Sequence, residues 1–209
     1  MAESSHTFVL TLGIDGSGKS TFMNGLNTQL GYAVLEPTSS PEAKRFKAAH
    51  LGKPIDLAYI QERQQLFTGL NEQFDEHIRE ALAEGDVAAS GTTLVTNISH
   101  AVMRQIVTGR EYSTEAIVNT WTESGSLQPD TVVLTYAAMD TIEDRLVERD
   151  KAGIVGEKLL GFNSLYFLAR YQDALHTAVD LIDQDRPVLR VDSSVVHSAE
   201  HAIEQYKSL

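Results

Sequence analysis

Cysteine is absent from the 209-residue chain, which excludes disulfides and thiolate metal sites. Basic charge is scarce: 17 lysines and arginines stand against 29 aspartates and glutamates, a formal net charge of −12. That balance argues against nucleic acid as a partner, because contacts along a phosphate backbone need clustered Lys and Arg. Long apolar runs are missing too, and Met1-Ala2-Glu3-Ser4-Ser5-His6 lacks the basic, apolar layout of a signal peptide. The expectation is a cytoplasmic chain that needs no membrane. No repeat and no low-complexity tract interrupts it. At 42% hydrophobic and 22% charged residues, positions 1–209 suit a single domain with one sizeable core. Oligomeric state is not fixed by the sequence, and a homodimer is compatible with it.

One stretch organises the rest: Gly13-Ile14-Asp15-Gly16-Ser17-Gly18-Lys19-Ser20-Thr21. It follows an apolar run, Phe8 to Leu12, that reads as a buried strand. It precedes Phe22, Leu26 and Leu30, apolar residues at helical spacing. The pattern G-x-x-x-x-G-K-[ST] therefore stands between strand and helix, the setting in which it binds phosphate. Gly13, Gly16 and Gly18 let the backbone curl so that its N–H groups converge on phosphate oxygens. Asp15 and Ser17 sit inside this curl, and Thr21 follows it. The N-terminus of the next helix adds partial positive charge. Lys19 can reach the β- and γ-phosphates, and Ser20 can offer its hydroxyl to Mg²⁺. ATP and Mg²⁺ are the ligands this pattern points to.

Strand and helix signals then alternate along the chain. Tyr32 to Leu35 is a second short strand ending in Glu36-Pro37, and Ser40-Pro41-Glu42 is a helix start. Lys44, Arg45 and Lys47 read as a solvated face of that helix. Ile60, Phe67, Leu70, Phe74, Ile78 and Leu82 form one stripe of a helix over about 57–84. Val87 to Ser90 and Thr131 to Tyr136 are further buried strands, with helices predicted over 97–108 and 114–123 between them. His100 reads as a helix-surface residue and Trp121 as core. Asp140-Thr141-Ile142-Glu143 has capping-box spacing. Residues 150–161 hold three glycines and two lysines and read as a basic lid. A long helix, a strand over 187–192 and a helix over 198–207 follow. Alternation of this kind predicts a parallel α/β sheet covered on both faces, with ligands at the carboxyl ends of the strands. Gly13–Thr21, Glu36 and Gly91-Thr92-Thr93 collect at that edge.

The Gly13–Thr21 loop, with an Asp inside it, resembles the phosphate loop of thymidylate kinases. Glu36-Pro37 is similar to that family's Arg-Glu-Pro. Leu66-Phe67 through Ala81-Leu82-Ala83-Glu84-Gly85 resembles its long third helix, and Gln128-Pro129-Asp130 the entry to its fourth strand. Arg149 through Phe162-Asn163 to Arg170-Tyr171 is similar to its lid and following helix. The resemblance spans nearly the whole chain. It implies a P-loop NTPase three-layer sandwich, with a five-stranded parallel sheet in the order 2-3-1-4-5 and helices on both faces. It also implies transfer of the ATP γ-phosphoryl group, with Mg²⁺, to a nucleoside monophosphate, dTMP first. By the same resemblance Asp15 orients the acceptor's sugar, Lys19 holds the donor phosphates, Ser20 the metal, and Arg149 with the lid lysines neutralises the moving group.

The sequence departs from that family at named places. Gly91-Thr92-Thr93 stands where the family has Asp-Arg and an aromatic or His, and Leu35 where it has the Arg before Glu-Pro. Leu70 or Asn71 stands where a helical Arg meets thymine. Loss of arginines that bind the acceptor phosphate, with Glu36 kept, is also what a deoxynucleoside kinase would show. There a Glu of this kind serves as base toward a 5′-hydroxyl. A further alternative is a nucleotide-binding protein without turnover.

Overall fold

The computed structural model describes residues 6–36, 40–50, 55–151, 164–195 and 199–209, without the side chains of Lys47 and Asp150. The central strand β1 (Phe8–Leu12) is buried along its whole length. A strand covered on both faces carries a continuous apolar run, and its side chains alternate between the two covers. Phe8, Leu10 and Leu12 accordingly enter one hydrophobic cluster and Val9 the other. β1 pairs in parallel with β3 (Val87–Ser90) on one side and β4 (Thr131–Tyr136) on the other. β2 (Ala33–Leu35) flanks β3, and β5 (Val188–Asp192) flanks β4. The order β2-β3-β1-β4-β5 is the one the resemblance implies. Two carboxylates fix the register at its start: Thr7 N donates to Asp86 Oδ1 and Phe8 N to Asp130 Oδ2, each at 2.7 Å. Asp130 after Pro129 thus acts as a clasp on the neighbouring strand.

On the smaller cluster's face lie α1 (Lys19–Leu30) and α8 (Ala199–Lys207), through Phe22, Leu26, Ala202 and Ile203. On the other lie α3 (Leu57–Leu82), α4 (Thr93–Thr108), α5 (Thr114–Glu123) and α7 (Leu165–Ile182). Ile60, Phe74, Ile78, Ile98, Trp121 and Leu175 are among the residues that fill this larger core. The core reading of Trp121 holds. Helix α2 (Pro41–His50) packs on α3 through ring contacts of Phe46 and His50 with Tyr59, centroids 5.4 and 5.1 Å apart. Helix α6 (Met139–Lys151) leads away from β4. Hydroxyl and carboxylate caps begin four helices as their residue types dictate. Ser40 Oγ accepts from Ala43 N, Asp56 Oδ1 from Tyr59 N, Ser113 Oγ from Ala116 N and Ser164 Oγ from Phe167 N. Each such cap contributes about 1 kcal/mol.

Three expectations need correction. Helix α4 begins at Thr93, not at 97, because Leu94 already faces the core and Thr96 N reaches Thr92 O at 3.0 Å. Asp140 does not cap α6. That helix starts one residue earlier, and Asp140 Oδ1 instead accepts from Thr141 N inside the first turn. His100 is a core residue, 5% exposed. The lid expectation, with Lys158 and the glycines of 153–161, falls outside the described residues.

Candidate active site

The loop after β1 bends on Gly13, φ +151°, and then on Gly16 and Gly18 at φ +84° and +93°, values that L side chains rarely adopt. Gly18 enters α1, and Phe22 N closes the first helical bond to Gly18 O at 3.1 Å. A latch beneath the loop holds it to the sheet. Ser17 Oγ and Thr135 Oγ1 share a buried hydrogen bond of 2.9 Å, and Thr135 Oγ1 also reaches Leu12 O at 3.2 Å. Lys19 Nζ lies along the loop and donates to Gly13 O at 2.7 Å and Ile14 O at 2.9 Å. A charged amine parked on carbonyls can exchange those neutral partners for phosphate oxygens, which bind it more strongly.

A cavity of about 500 Å³ opens on this loop. Of the residues predicted from sequence, Gly13, Asp15, Gly16, Gly18, Lys19, Ser20, Thr21, Glu36 and Arg149 line it. Ser17 does not: it is fully buried, and its hydroxyl serves the latch. Hard oxygen donors for Mg²⁺ are present in Ser20, Asp15 and Glu36, which fits an ion shared with nucleotide phosphates. Among the described residues no group of three His, Asp or Glu could hold a metal alone.

The structure adds residues the sequence reading passed over. Arg145 braces the loop from α6: Nη1 donates to Gly16 O and to Ser193 Oγ, and Nη2 to Ser193 O, all at 2.8 Å. Three N–H bonds from two adjacent nitrogens suit the planar fork of a guanidinium. Its position four residues before Arg149 was visible in the sequence, but nothing there showed which of the two meets the loop. Lys44 lines the cavity with Ala43 and Phe46, so α2 folds over the site and its basic face is not wholly solvated. Arg45, by contrast, is exposed and pairs with Glu42 at 2.9 Å.

The second unforeseen residue is Arg63, on the α3 wall. Its Nη1 donates to Ser99 Oγ at 3.0 Å, and its Cζ lies 4.6 Å from the centre of the Phe67 ring. The Tyr59 hydroxyl faces it as well, and the two interact electrostatically. Burial works against its charge, while Tyr59, Tyr171 and Asp15 favour it. A guanidinium still stays protonated at neutral pH. Burial also pushes the Tyr59 phenol up to about 12, so it remains a neutral hydroxyl.

His100 sits behind this wall, and neither ring nitrogen has a hydrogen-bond partner among the described residues. Burial first, then the charges of Arg63 and Arg104, push its pKa down from 6.5 to about 3. The folded-state value is the lower one, so the unfolded chain binds the proton first. Stability is therefore present above about pH 6.5 and drains as pH falls toward 3. Urea unfolding between pH 7 and 4 should show wild type losing up to about 1.4 kcal/mol per pH unit more than His100→Gln. Equal slopes would mean the ring accepts a proton in the folded state.

No family model and no curated protein matches this sequence. Solved structures do match its fold. One is a deoxyadenosine kinase from M. mycoides with products dCMP and a flexible dCDP bound. Its TM-score is 0.67 at 17% identity, covering 96% of this chain and 97% of that one. The same enzyme with bound dATP superposes at TM-score 0.63 and 16% identity, covering 96% and 97%. A thymidylate kinase from Candida albicans gives a TM-score of 0.64 at 17% identity, over 90% of this chain and 84% of that one. The architecture is that of P-loop nucleoside and nucleotide kinases. Among the described residues no helix is long and apolar enough to cross a membrane.

Proposed function

We propose that this chain is a phosphotransferase that moves the γ-phosphoryl group of Mg²⁺-bound ATP onto a nucleoside monophosphate, with dTMP the first acceptor to test. The observation that carries this reading is the shared cavity. The phosphate loop and an aromatic wall of Phe46, Tyr59, Phe67, Phe167 and Tyr171 line one space. A triphosphate at the loop and a flat base at the wall would bring donor and acceptor together. The fold neighbours, a deoxyadenosine kinase and a thymidylate kinase, favour this class of substrate. Lys19 and the loop N–H groups would hold the donor phosphates, and Ser20 would help hold the metal. Mg²⁺, when bound, would supply charge neutralisation to the donor phosphates. An acceptor oxygen attacks the γ-phosphorus, the bond to the bridging β,γ-oxygen breaks, and ADP leaves. Arg149 would offset charge on the transferred group, and Asp15 would orient the acceptor's sugar. Such a reaction asks the protein chiefly for positioning and electrostatics.

A second reading is favoured by Glu36, which lines the same cavity near the loop. A 5′-hydroxyl acceptor must lose a proton, which Glu36 would take as general base, whereas a monophosphate oxygen needs no such base. A coupled ADP-release assay with dTMP, thymidine and the other nucleosides tests both. ATP-dependent turnover of a monophosphate is the expected result, slower for dTMP than in a typical thymidylate kinase, because Leu35 and Gly91-Thr92 supply no cation to the acceptor phosphate. Glu36→Gln should lower turnover of any nucleoside acceptor by roughly 10²–10⁴-fold and that of monophosphates far less. If no acceptor turns over, the transfer reading fails and nucleotide binding alone remains.

A further inference from the structure

Helix α2 brings Ala43, Lys44 and Phe46 to the cavity, and α3 brings Tyr59. His50, the last residue of α2, does not line the cavity but holds these two helices together. Its ring centre lies 4.2 Å from that of Phe46 and 5.1 Å from that of Tyr59, so it touches two of the cavity's aromatic rings. Both of its nitrogens face oxygens. Nδ1 lies 3.0 Å from Phe46 O, and Nε2 lies 3.2 Å from Glu62 Oε2 on α3. A carbonyl and an ionised carboxylate only accept, whereas a neutral imidazole donates from one nitrogen alone. Both contacts are hydrogen bonds only when the ring carries two protons. A charged ring at the C-terminus of α2 also meets the negative end of that helix's dipole.

We propose that His50 is a positioning residue that seats α2 against the cavity when its ring is doubly protonated, so that nucleotide affinity falls as pH rises from about 6 to about 8. The proposal rests on the phosphotransferase reading of this same site for the nature of the ligand. Without the second proton, the ring turns a lone pair on the Glu62 carboxylate or on the Phe46 carbonyl, and its hold on α3 weakens. A ligand that touches Lys44 or Phe46 binds the seated helix better, so it loses affinity as that state becomes rarer. Among the described residues, the other groups near the ring do not reverse this. Tyr59 stays a neutral hydroxyl, Arg63 is engaged with Ser99 and the Phe67 ring, and Arg45 is exposed and paired with Glu42. Glu62 is 61% exposed, which limits the effect to the size of a surface ion pair. The ligand's own titration runs the opposite way, because a terminal phosphate gains negative charge over the same range.

Isothermal titration of the intact protein with dTMP, and separately with a non-hydrolysable ATP analogue, at about pH 6 and about pH 8 tests this. Glu62→Gln is the deciding variant. Its amide accepts from the protonated ring and donates to the neutral one, so α2 stays seated at both pH values. Wild-type affinity divided by that of Glu62→Gln should fall about threefold between the two conditions for at least one probe. Taking this quotient cancels the titration of the ligand's phosphate. His50→Gln, which gives up both ring contacts, should bind more weakly than wild type at the lower pH and show no such fall. A quotient that stays level for both probes overturns the proposal, and so does binding of neither. A transfer assay on the same samples separates the two claims. A falling quotient without transfer would remove the kinase reading and keep the role of His50, while transfer with a level quotient would do the reverse.

Discussion

Replacing Lys19 with alanine should abolish phosphoryl transfer while leaving the fold in place. Two loop carbonyls, Gly13 O and Ile14 O, are among the side chain's present partners, in a half-buried setting. Losing two neutral-acceptor bonds costs roughly 1–2 kcal/mol of stability, a few degrees in melting temperature for a chain of this size. The functional loss is of another order. A charge-assisted bond to phosphate contributes roughly 1.5–3 kcal/mol, so affinity for an ATP analogue should fall about tenfold to a hundredfold. The same amine faces charge that grows during transfer, so kcat/KM should drop by a further factor, to about 10³-fold or more in total. Calorimetric titration with a non-hydrolysable ATP analogue, beside a turnover assay, reads both. Equal affinity in wild type and Lys19→Ala would remove the phosphate loop from the account.

Gly13→Ala should unfold the loop rather than merely blunt it. A Cβ there would stand 2.4 Å from Ser17 Oγ, 2.5 Å from Thr135 Oγ1 and 2.6 Å from the backbone oxygen of Thr135. The first two atoms are bonded to each other, and the third belongs to β4, which pairs with β1 on one side and β5 on the other. No side-chain rotation relieves all three. Backbone strain at φ +151° adds to the overlap. Together these amount to roughly 3–5 kcal/mol, enough to lower the melting temperature by about 10 °C. Urea unfolding should show a lower midpoint, and nucleotide binding should vanish in whatever remains folded. An unchanged midpoint would mean the loop does not pass this close to Thr135.

Much of this molecule could be read from its residues, because the strongest signals are local. The apolar run of β1, the glycine spacing after it and the Ser-Pro-Glu start of α2 each report on a few neighbouring backbone groups. The sheet order is not local, and it came from the resemblance. What escaped notice depends on contacts across long stretches of chain. His100 looks like any polar residue on a helix until α3 packs against α4 and buries it. Asp140 has capping spacing, but Ser194, in the turn after β5, supplies the oxygen that Ala138 N needs at 2.9 Å. Ser17 was grouped with the ligand-binding residues because its motif is, yet its hydroxyl turns under the loop to β4. Arg63 lies on the stripe-bearing helix α3 as one more charged side chain among many. Only the cavity shows that it faces inward.

The brace from Arg145 to Gly16 and Ser193 joins the first tenth of the chain to its last tenth. It has a consequence for the order in which the protein is made. A growing chain that has released β1, the loop and α1 lacks both the clamp on Gly16 O and the serine that holds the clamp. Until residue 193 has left the ribosome, the phosphate loop is a glycine-rich turn with its shape unset. Contacts so distant in sequence form late. This loop therefore cannot steady the nascent chain, and early folding falls to contacts nearer in sequence. The glycine loop takes its braced shape late, although its residues are among the first to be synthesised.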